Sequence, residues 1–294
     1  MKNLPTVLLT GANGFLGSHL LEALLGQGYK VVILKRSTSN LWRIEHLLEH
    51  VKTYDVDTQS LNHAFEEQQI DCLIHLACHY GRNTDPLHLM VESNLLYGLK
   101  LLEASITHRV STFINADSLL PRNLNSYILS KSQFVDWLKL HSKKIQVVNL
   151  KIEHMYGPKD DTNKFLPWII SQFKEKASEI RLTKGEQKRD FIYIDDVVSA
   201  YLIVLEKLPT LIDYNEYEVG TGQALEIKEV LEQLKELYEA SFGKITSKMV
   251  FGALPYREGE MMSVKVNNQS LIDLGWLPKI KLQQGLKKYL EDIV

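Results

Sequence analysis

Tyr127 and Lys131 stand four residues apart in Ser126-Tyr127-Ile128-Leu129-Ser130-Lys131. On a helix that spacing puts a phenol and an ammonium on one face, where both can reach the same cavity. Chance places such pairs on many helices, so the meaning of this one depends on the other chemistry the chain carries. Far upstream, Gly11-Ala12-Asn13-Gly14-Phe15-Leu16-Gly17 follows directly on the strand-like Thr6 to Thr10 and runs into a helical pattern from Gly17 to Leu25. Strand, glycines and helix in immediate succession are the context of a dinucleotide site. Gly11 permits the tight turn, Gly14 lets backbone N–H groups approach a pyrophosphate, and Gly17 allows close helix–strand packing at the positive helix end. Asn13, Phe15 and Leu16 belong to the same cradle.

The segment Leu34-Lys35-Arg36-Ser37 bears on which dinucleotide is bound. An NAD-selective site carries an acidic side chain roughly 20 residues beyond the glycines, to accept hydrogen bonds from the ribose 2′-OH. No carboxylate stands here. The guanidinium of Arg36, helped by Lys35 and Ser37, can instead meet a 2′-phosphate with charge-assisted hydrogen bonds. The expected cofactor is NADP(H); the alternative is an ordinary solvated basic pair.

The elements that must position these groups follow from the apolar pattern. From Thr6 to about Leu150, short β-branched or apolar runs alternate with segments of helical period, which is the sign of βαβ units and a parallel sheet. Strands are expected at Thr6 to Thr10, Lys30 to Leu34, Val51 to Asp55, Cys72 to Leu76, Thr112 to Asn115 and Gln146 to Leu150, with helices at Gly17 to Leu25 and Pro86 to Ile106. Right-handed crossovers place the helices on both faces of one doubly wound sheet. The expected fold is α/β, a Rossmann doubly wound parallel sheet over residues 1–158, with later segments crossing back. Residues 159–294, with an apolar helical stretch around Ile227 to Leu237, should form a smaller C-terminal α/β substrate lobe.

Composition narrows the classes. With 294 residues, 45% hydrophobic and 24% charged, the chain reads as globular. A net charge of −2 and the lack of a long Lys/Arg run argue against nucleic acid as a partner. Cys72 and Cys78 offer neither a disulfide framework nor metal-ligand spacing, so no metal is expected. The N-terminal apolar stretch is too short for a signal peptide and no run is long enough to span a bilayer. A soluble cytoplasmic protein with no membrane partner is the expectation.

The spacing GxxGxxG at Gly11, Gly14 and Gly17 resembles that of the extended short-chain dehydrogenase/reductase family, and further motifs in similar order extend the resemblance over nearly the whole chain. They are His75-Leu76-Ala77, Asn94 opening a helix with Gly98 and Leu101 to Ala104, Tyr127 to Lys131, Tyr156-Gly157-Pro158, Lys164-Phe165, Arg189 to Tyr193, Val219 to Gly222 and Leu274-Gly275-Trp276. By this resemblance Tyr127 exchanges a proton with a sugar carbonyl, while Lys131 lowers the phenol's pKa and hydrogen-bonds the nicotinamide ribose. Asp55 and Val56 match the adenine-contacting pair, a solvated loop Asp being the alternative. Leu76, Ala77, Cys78 and Asn94 fall among the cofactor contacts. Arg189 and Arg257 match positions that clamp the phosphates of a nucleotide-diphosphate sugar, with surface salt bridges as the alternative. Tyr80, Arg82, His154, Lys164 and Phe165 are further substrate-binding candidates; His154 stands where many relatives have Asn, and a structural histidine is an equal alternative. The family also implies a homodimer through the helices around Pro86 to Ile106 and Ser126 to Leu140.

One position departs from the pattern. A Ser or Thr near the end of the fifth strand ordinarily hydrogen-bonds the substrate carbonyl, and in Phe113-Ile114-Asn115-Ala116-Asp117-Ser118 the matching residue is Ala116. Either a hydroxyl has been replaced there, or Ser118 has taken the role two residues on, or Tyr127 suffices alone. The reaction is narrowed by the same resemblance. A dehydratase needs Asp-Glu where Asp117-Ser118 stands, and an epimerase-reductase needs Cys and His flanking C3 and C5, whereas neither Cys72 nor Cys78 falls after the fifth strand. A 4-epimerase recycles a tightly held NAD. The motifs Tyr80-Gly81-Arg82 and Glu153 to Asp161 are most similar to nucleotide 4-keto-6-deoxysugar 4-reductases. The reading is NADPH-dependent reduction at C4; the alternatives are a nucleotide-sugar 4-epimerase and a non-catalytic NADP-binding regulatory protein.

Overall fold

The structure, a computed structural model, describes residues 4–81 and 85–292. Up to residue 152 the elements are β1 (Val7–Thr10), α1 (Phe15–Gly26), β2 (Val31–Lys35), β3 (Lys52–Asp55), α2 (Asn62–Glu67), β4 (Cys72–His75), α3 (Leu87–Val91), α4 (Tyr97–Thr107), β5 (Thr112–Ser118), α5 (Ser126–His141) and β6 (Gln146–Ile152). Beyond it come β7 (His154–Tyr156), α6 (Phe165–Lys174), β8 (Glu179–Arg181), β9 (Lys188–Arg189), β10 (Phe191–Tyr193), α7 (Ile194–Lys207) and β11 (Tyr214–Val219). The chain closes with β12 (Leu225–Glu226), α8 (Ile227–Phe242), β13 (Lys248–Val250), α9 (Gln269–Asp273) and α10 (Leu282–Asp292). Two compact units divide it, residues 1–152 with 198–218, and residues 153–197 with 219–294.

In the first unit seven strands form one sheet in the order β11-β6-β5-β4-β1-β2-β3, and the pairs from β6 through β3 are parallel. This is the Rossmann-like α/β sheet the alternating pattern implies. Its strands are nearly continuous apolar runs because helices cover both faces; Val7, Leu8 and Leu9 are wholly buried. On one face Leu8, Leu73, Phe113 and Val147 pack against Leu101 and Leu102 of α4 and Phe134 and Leu138 of α5. Each such side chain contributes roughly 1.5–3 kcal/mol by leaving water. The strand order reverses between β1 and β4, which opens a crevice at their carboxyl ends, where the glycine loop begins.

Two local expectations are corrected. Residues Pro86 to Ile106 are not one regular helix: a π-helical turn, Glu92–Leu96, is set between α3 and α4. Asn94 therefore lies inside this run instead of opening it, and the extra residue in the turn directs its amide into the interior, where it is 3% exposed. Strand β5 also runs past Asn115 to Ser118, paired with β6 throughout. Polar residues that read as a strand end continue the strand because they bond one another: Asn115 Nδ2 donates to Asn149 Oδ1 at 2.7 Å, and Asn149 Nδ2 to Asp117 Oδ2 at 3.1 Å.

The second unit is built from two-stranded pairings, β10 with β7 and β13 with β8 in parallel and β12 with β9 antiparallel. A capping box of Glu226 and Glu229 starts α8, which buries Ile227, Val230, Leu231, Leu234 and Tyr238 at helical spacing. Trp276 is fully buried and donates from Nε1 to the Asp196 carbonyl at 3.1 Å, while the Asp196 carboxylate accepts from Lys279 N and Ile280 N at 3.0 and 2.9 Å. No helix among the described residues is long and apolar enough to cross a membrane.

Candidate active site

The glycine loop is shaped by what it excludes. Gly11 has φ +69°, and a Cβ there would meet the Ala77 nitrogen at 2.6 Å; a Cβ on Gly17 would overlap the Gly11 carbonyl oxygen. Gly14 N donates to Gly11 O at 3.0 Å and Ser18 N to Gly14 O at 3.0 Å, so the turn passes straight into α1. Phe15 and Leu16 are buried and anchor the first turn of that helix. A bare backbone at a helix N-terminus fits a dinucleotide pyrophosphate. Asn13 Nδ2 donates to Asn40 O at 3.1 Å, and the Arg43 guanidinium donates to Asn13 O at 3.3 Å. Arg43, which lies 4.7 Å from the centre of the Trp42 ring, thus brings a cation to the loop. Sequence reading missed it, because nothing in the order of residues ties position 43 to position 13.

At the end of β2, Lys35 Nζ is 2.9 Å from Asp55 Oδ2, and Ser37 Oγ donates to the same oxygen at 2.9 Å. The Lys35 hydrogen bond, ahead of opposing burial, holds the Asp55 carboxyl below its ordinary range. Ser37 N donates to Asp57 Oδ2 at 2.9 Å, and Val56 N to Lys35 O at 2.9 Å. Two of the three groups expected to meet a 2′-phosphate are therefore engaged with acidic residues after β3. Arg36 is exposed, and its guanidinium is held by no carboxylate among the described residues.

Helix α5 starts on Asn125, whose side chain accepts from Ile128 N at 2.9 Å. Tyr127 stands in its first turn and Lys131, 8% exposed, one turn on. The phenol ring centre is 4.9 Å from that of Tyr80. Burial, followed by Cys78, Tyr80 and Asp117, pushes its pKa well above the ordinary value, so it is a protonated donor at neutral pH. Beneath it His75 is buried, and burial together with the Lys131 charge lowers its pKa to about 3. The imidazole is neutral, 2.8 Å through Nδ1 from Thr10 Oγ1, which also accepts from Ala77 N at 3.3 Å. Asn94 joins the loop after β4 to α5: it accepts from His79 N at 2.7 Å and donates to His79 O at 2.8 Å and Ser130 Oγ at 3.0 Å.

Ala116 and Ser118 alternate with Asn115 and Asp117 along β5. Phe113, Asn115 and Asp117 share the face of β5 on which α5 packs, with the Phe113 and Phe134 rings 5.9 Å apart, and alternation sends Ala116 and Ser118 to the other face. Ser118 Oγ accepts from Leu120 N at 3.3 Å. The β5 residue whose charge reaches the phenol is Asp117. Behind it, Asn149 also donates to Glu216 Oε2 at 3.1 Å, and Lys151 Nζ is 2.6 Å from Glu216 Oε1.

In the second unit Arg189 is buried; it donates from one nitrogen to the carbonyls of Lys188 and Met261 at 2.8 and 2.7 Å, and from the other to Glu260. Arg257 is exposed, and its carbonyl accepts from Glu260 N at 3.0 Å. Next to Arg189, buried Asp190 accepts from Thr221 N and Oγ1 and from Gly222 N at 3.0, 2.7 and 2.7 Å. Its role in shaping that turn was not read from sequence. His154 Nδ1 is 2.7 Å from the buried Glu153 carboxylate and its ring lies 5.8 Å from that of Phe191. Lys164 Nζ lies 2.7 Å from Asp160 Oδ1, whose carboxyl burial raises although Lys164 opposes the shift. Phe165 begins α6 with its ring partly exposed. Arg82 lies outside the described residues. No group of three or more His, Cys, Asp or Glu that could hold a metal ion is present among the described residues.

Comparison with known proteins identifies the family and the fold. Residues 7–220 match the model of the NAD dependent epimerase/dehydratase family. The chain is 36% identical over 299 aligned residues to CDP-abequose synthase of Salmonella typhimurium, covering 97% of each. In three dimensions it resembles the UDP-glucose 4-epimerase of Thermotoga maritima, solved with UDP-glucose, with a TM-score of 0.85, 23% identity and 98% of each chain covered. The UDP-glucose 4-epimerase of Thermus thermophilus, solved with NAD, superposes with a TM-score of 0.80 at 25% identity, again over 98% of each chain.

Proposed function

The chain belongs to the NAD dependent epimerase/dehydratase family, and on that premise we propose that it uses NADPH to reduce the C4 ketone of a nucleotide-activated 4-keto-6-deoxysugar linked to CDP, dTDP or GDP. The observation that carries this reading is the end of β2. There Arg36 is exposed with no carboxylate in the ribose 2′-OH position, while Asp55 is engaged by Lys35 and Ser37. That arrangement suits a 2′-phosphate and so an exchangeable NADPH, the cofactor of a net reduction. The similarity to CDP-abequose synthase supports the choice of substrate class.

Bound NADPH supplies the hydride. The glycine loop and the N-terminus of α1 receive its pyrophosphate, Arg36 its 2′-phosphate, and Lys131 its nicotinamide ribose. Tyr127, kept protonated by burial and its neighbours, gives its proton to the oxygen at C4 as that oxygen becomes an alkoxide. Arg189 and Arg257 are assigned to the nucleotide diphosphate, for which planar guanidinium groups give paired hydrogen bonds. His154, Lys164 and Phe165 are assigned to the remainder of the nucleotide sugar. A homodimer is also proposed: the apolar side chains of Leu87, Val91, Leu96, Trp137 and Leu140 are exposed along α3 to α5.

The test is NADPH oxidation, followed by absorbance, with CDP- and dTDP-4-keto-6-deoxyglucose, for this chain and for Ala116→Thr. Consumption of NADPH with formation of the reduced sugar is expected. Interconversion of UDP-hexoses without net NADPH use would establish the epimerase that the Thermus likeness offers as a second reading. Bound cofactor with turnover in neither variant would favour a regulatory NADP-binding protein.

A further inference from the structure

The segments that leave the carboxyl ends of β1 and β2 are tied together by contacts that no sequence motif announces. Thr10 and Leu34 are partners in parallel register, so the glycine loop and the stretch from Lys35 to Arg36 emerge side by side. After β2 the chain turns back on itself: Arg36 N donates to Ser39 Oγ at 3.1 Å, and Ser39 N to Arg36 O at 3.0 Å. The return brings Asn40 and Arg43 onto the glycine loop. Asn13 Nδ2 donates to Asn40 O at 3.1 Å, and Arg43 Nη1 donates to Asn13 O at 3.3 Å. Two neighbours hold the guanidinium there. Ile44 is fully buried and its N–H donates to Leu41 O at 2.9 Å, which anchors the segment; the Trp42 ring centre lies 4.7 Å from Arg43 Cζ, a cation–π contact. The carboxyl ends of β1 and β2 are thus bordered by two arginines, Arg36 at the strand end and Arg43 at the glycine loop.

We propose that Arg43 is a specificity-determining residue for the cofactor, meeting the 2′-phosphate of NADPH from the glycine-loop side while Arg36 meets it from the end of β2. This rests on the reading of the cofactor as NADPH. The ribose 2′ position of a dinucleotide lies at the end of the second strand, and a phosphate monoester there carries close to two negative charges, more than Arg36 alone neutralises. Lys35 is not the second cation, since its ammonium is committed to Asp55 at 2.9 Å. The acidic groups on that side are Asp55 and Asp57, which already accept from Lys35 Nζ, Ser37 Oγ and Ser37 N. A guanidinium has five N–H donors in a rigid plane, so the bond to Asn13 O does not exhaust what Arg43 offers a phosphate.

The experiment is calorimetric titration of the full chain with NADPH, NADH, adenosine 2′,5′-bisphosphate and ADP, in the parent protein, in Arg43→Gln and in Arg43→Lys. Gln keeps a donor for Asn13 O and removes the charge; Lys keeps the charge and loses the planar fork. Arg43→Gln should weaken NADPH and the bisphosphate by about 10-fold, leave NADH and ADP within about 2-fold, and leave the urea midpoint where it was. Arg43→Lys should recover part of the NADPH affinity. Equal losses for NADPH and NADH in Arg43→Gln would make the arginine a brace of the glycine loop or a pyrophosphate contact, and overturn the proposal. A parent that favours NADPH, with that preference unchanged in Arg43→Gln, also overturns it and leaves the NADPH reading standing. A parent that binds NADH as tightly as NADPH rejects that reading, and the proposal with it.

Discussion

Lys35 and Asp55 close an ion pair, Nζ to Oδ2 at 2.9 Å, across the carboxyl ends of neighbouring parallel strands in direct register. The pair divides the basic end of β2 into a lysine committed to the protein and an arginine turned to solvent. Arg36→Ala should therefore weaken NADPH binding by about 10- to 100-fold and leave NADH nearly unaffected, as expected for loss of a charge-assisted contact. Lys35→Ala should cost NADPH distinctly less. Calorimetric titration of each variant with both cofactors checks this, and equal affinity of the parent protein for NADPH and NADH would remove the argument.

Tyr127→Phe should abolish ketosugar reduction while NADPH still binds with its parent affinity, because the phenol acts on the substrate oxygen and Lys131 holds the ribose. Single-turnover kinetics beside cofactor titration separates the two. A Phe variant that still turns over would place the proton source elsewhere.

Ser118→Ala should leave kcat within about 3-fold of the parent. The hydroxyl lies on the face of β5 away from α5 and accepts from Leu120 N, so its loss should appear as about 1 kcal/mol of stability rather than as chemistry. Steady-state rates and a urea midpoint for one variant decide it. A large fall in kcat with an unchanged midpoint would return Ser118 to the substrate.

His75 gives a pH dependence of known sign. Burial and then Lys131 lower its pKa in the folded chain from 6.5 to about 3, so between those values the unfolded chain binds the extra proton. Its contribution to stability is complete above about pH 6.5 and is lost as the pH falls toward 3, with a limiting slope of about 1.4 kcal/mol per pH unit. Urea unfolding of the parent and His75→Gln across this range should show the shallower acid loss in the variant. Parallel profiles would assign the acid sensitivity to other groups.

Asn94→Ala should destabilise the protein by about 1–3 kcal/mol, since it strands a backbone N–H, a carbonyl and a hydroxyl that the amide now satisfies. Release of the loop after β4 should also speed alkylation of Cys78. Thiol labelling followed by mass spectrometry, with the unfolding midpoint measured in parallel, tests both effects.

What could be read from the order of residues was whatever local geometry dictates. Gly11, Gly14 and Gly17 announce their turn because only a residue without a Cβ fits against Ala77 and the Gly11 carbonyl. The strands from β1 to β6 are legible because burial on both faces demands apolar runs, and Tyr127 and Lys131 because helical spacing alone puts them on one face. The tertiary structure decided everything that joins distant segments. Asn94 reads as the start of a helix until a π-turn directs it to His79 and Ser130, and Asp117 reads as a strand end until Asn149 reaches it from β6. Lys35 reads as a phosphate ligand until the register of β2 and β3 sets Asp55 beside it. Arg43 carries no motif at all and acquires meaning only by reaching Asn13. Hydrogen bonds and ion pairs act over a few ångströms, so their partners are chosen by the packing of strands and helices, and sequence separation holds no record of that choice.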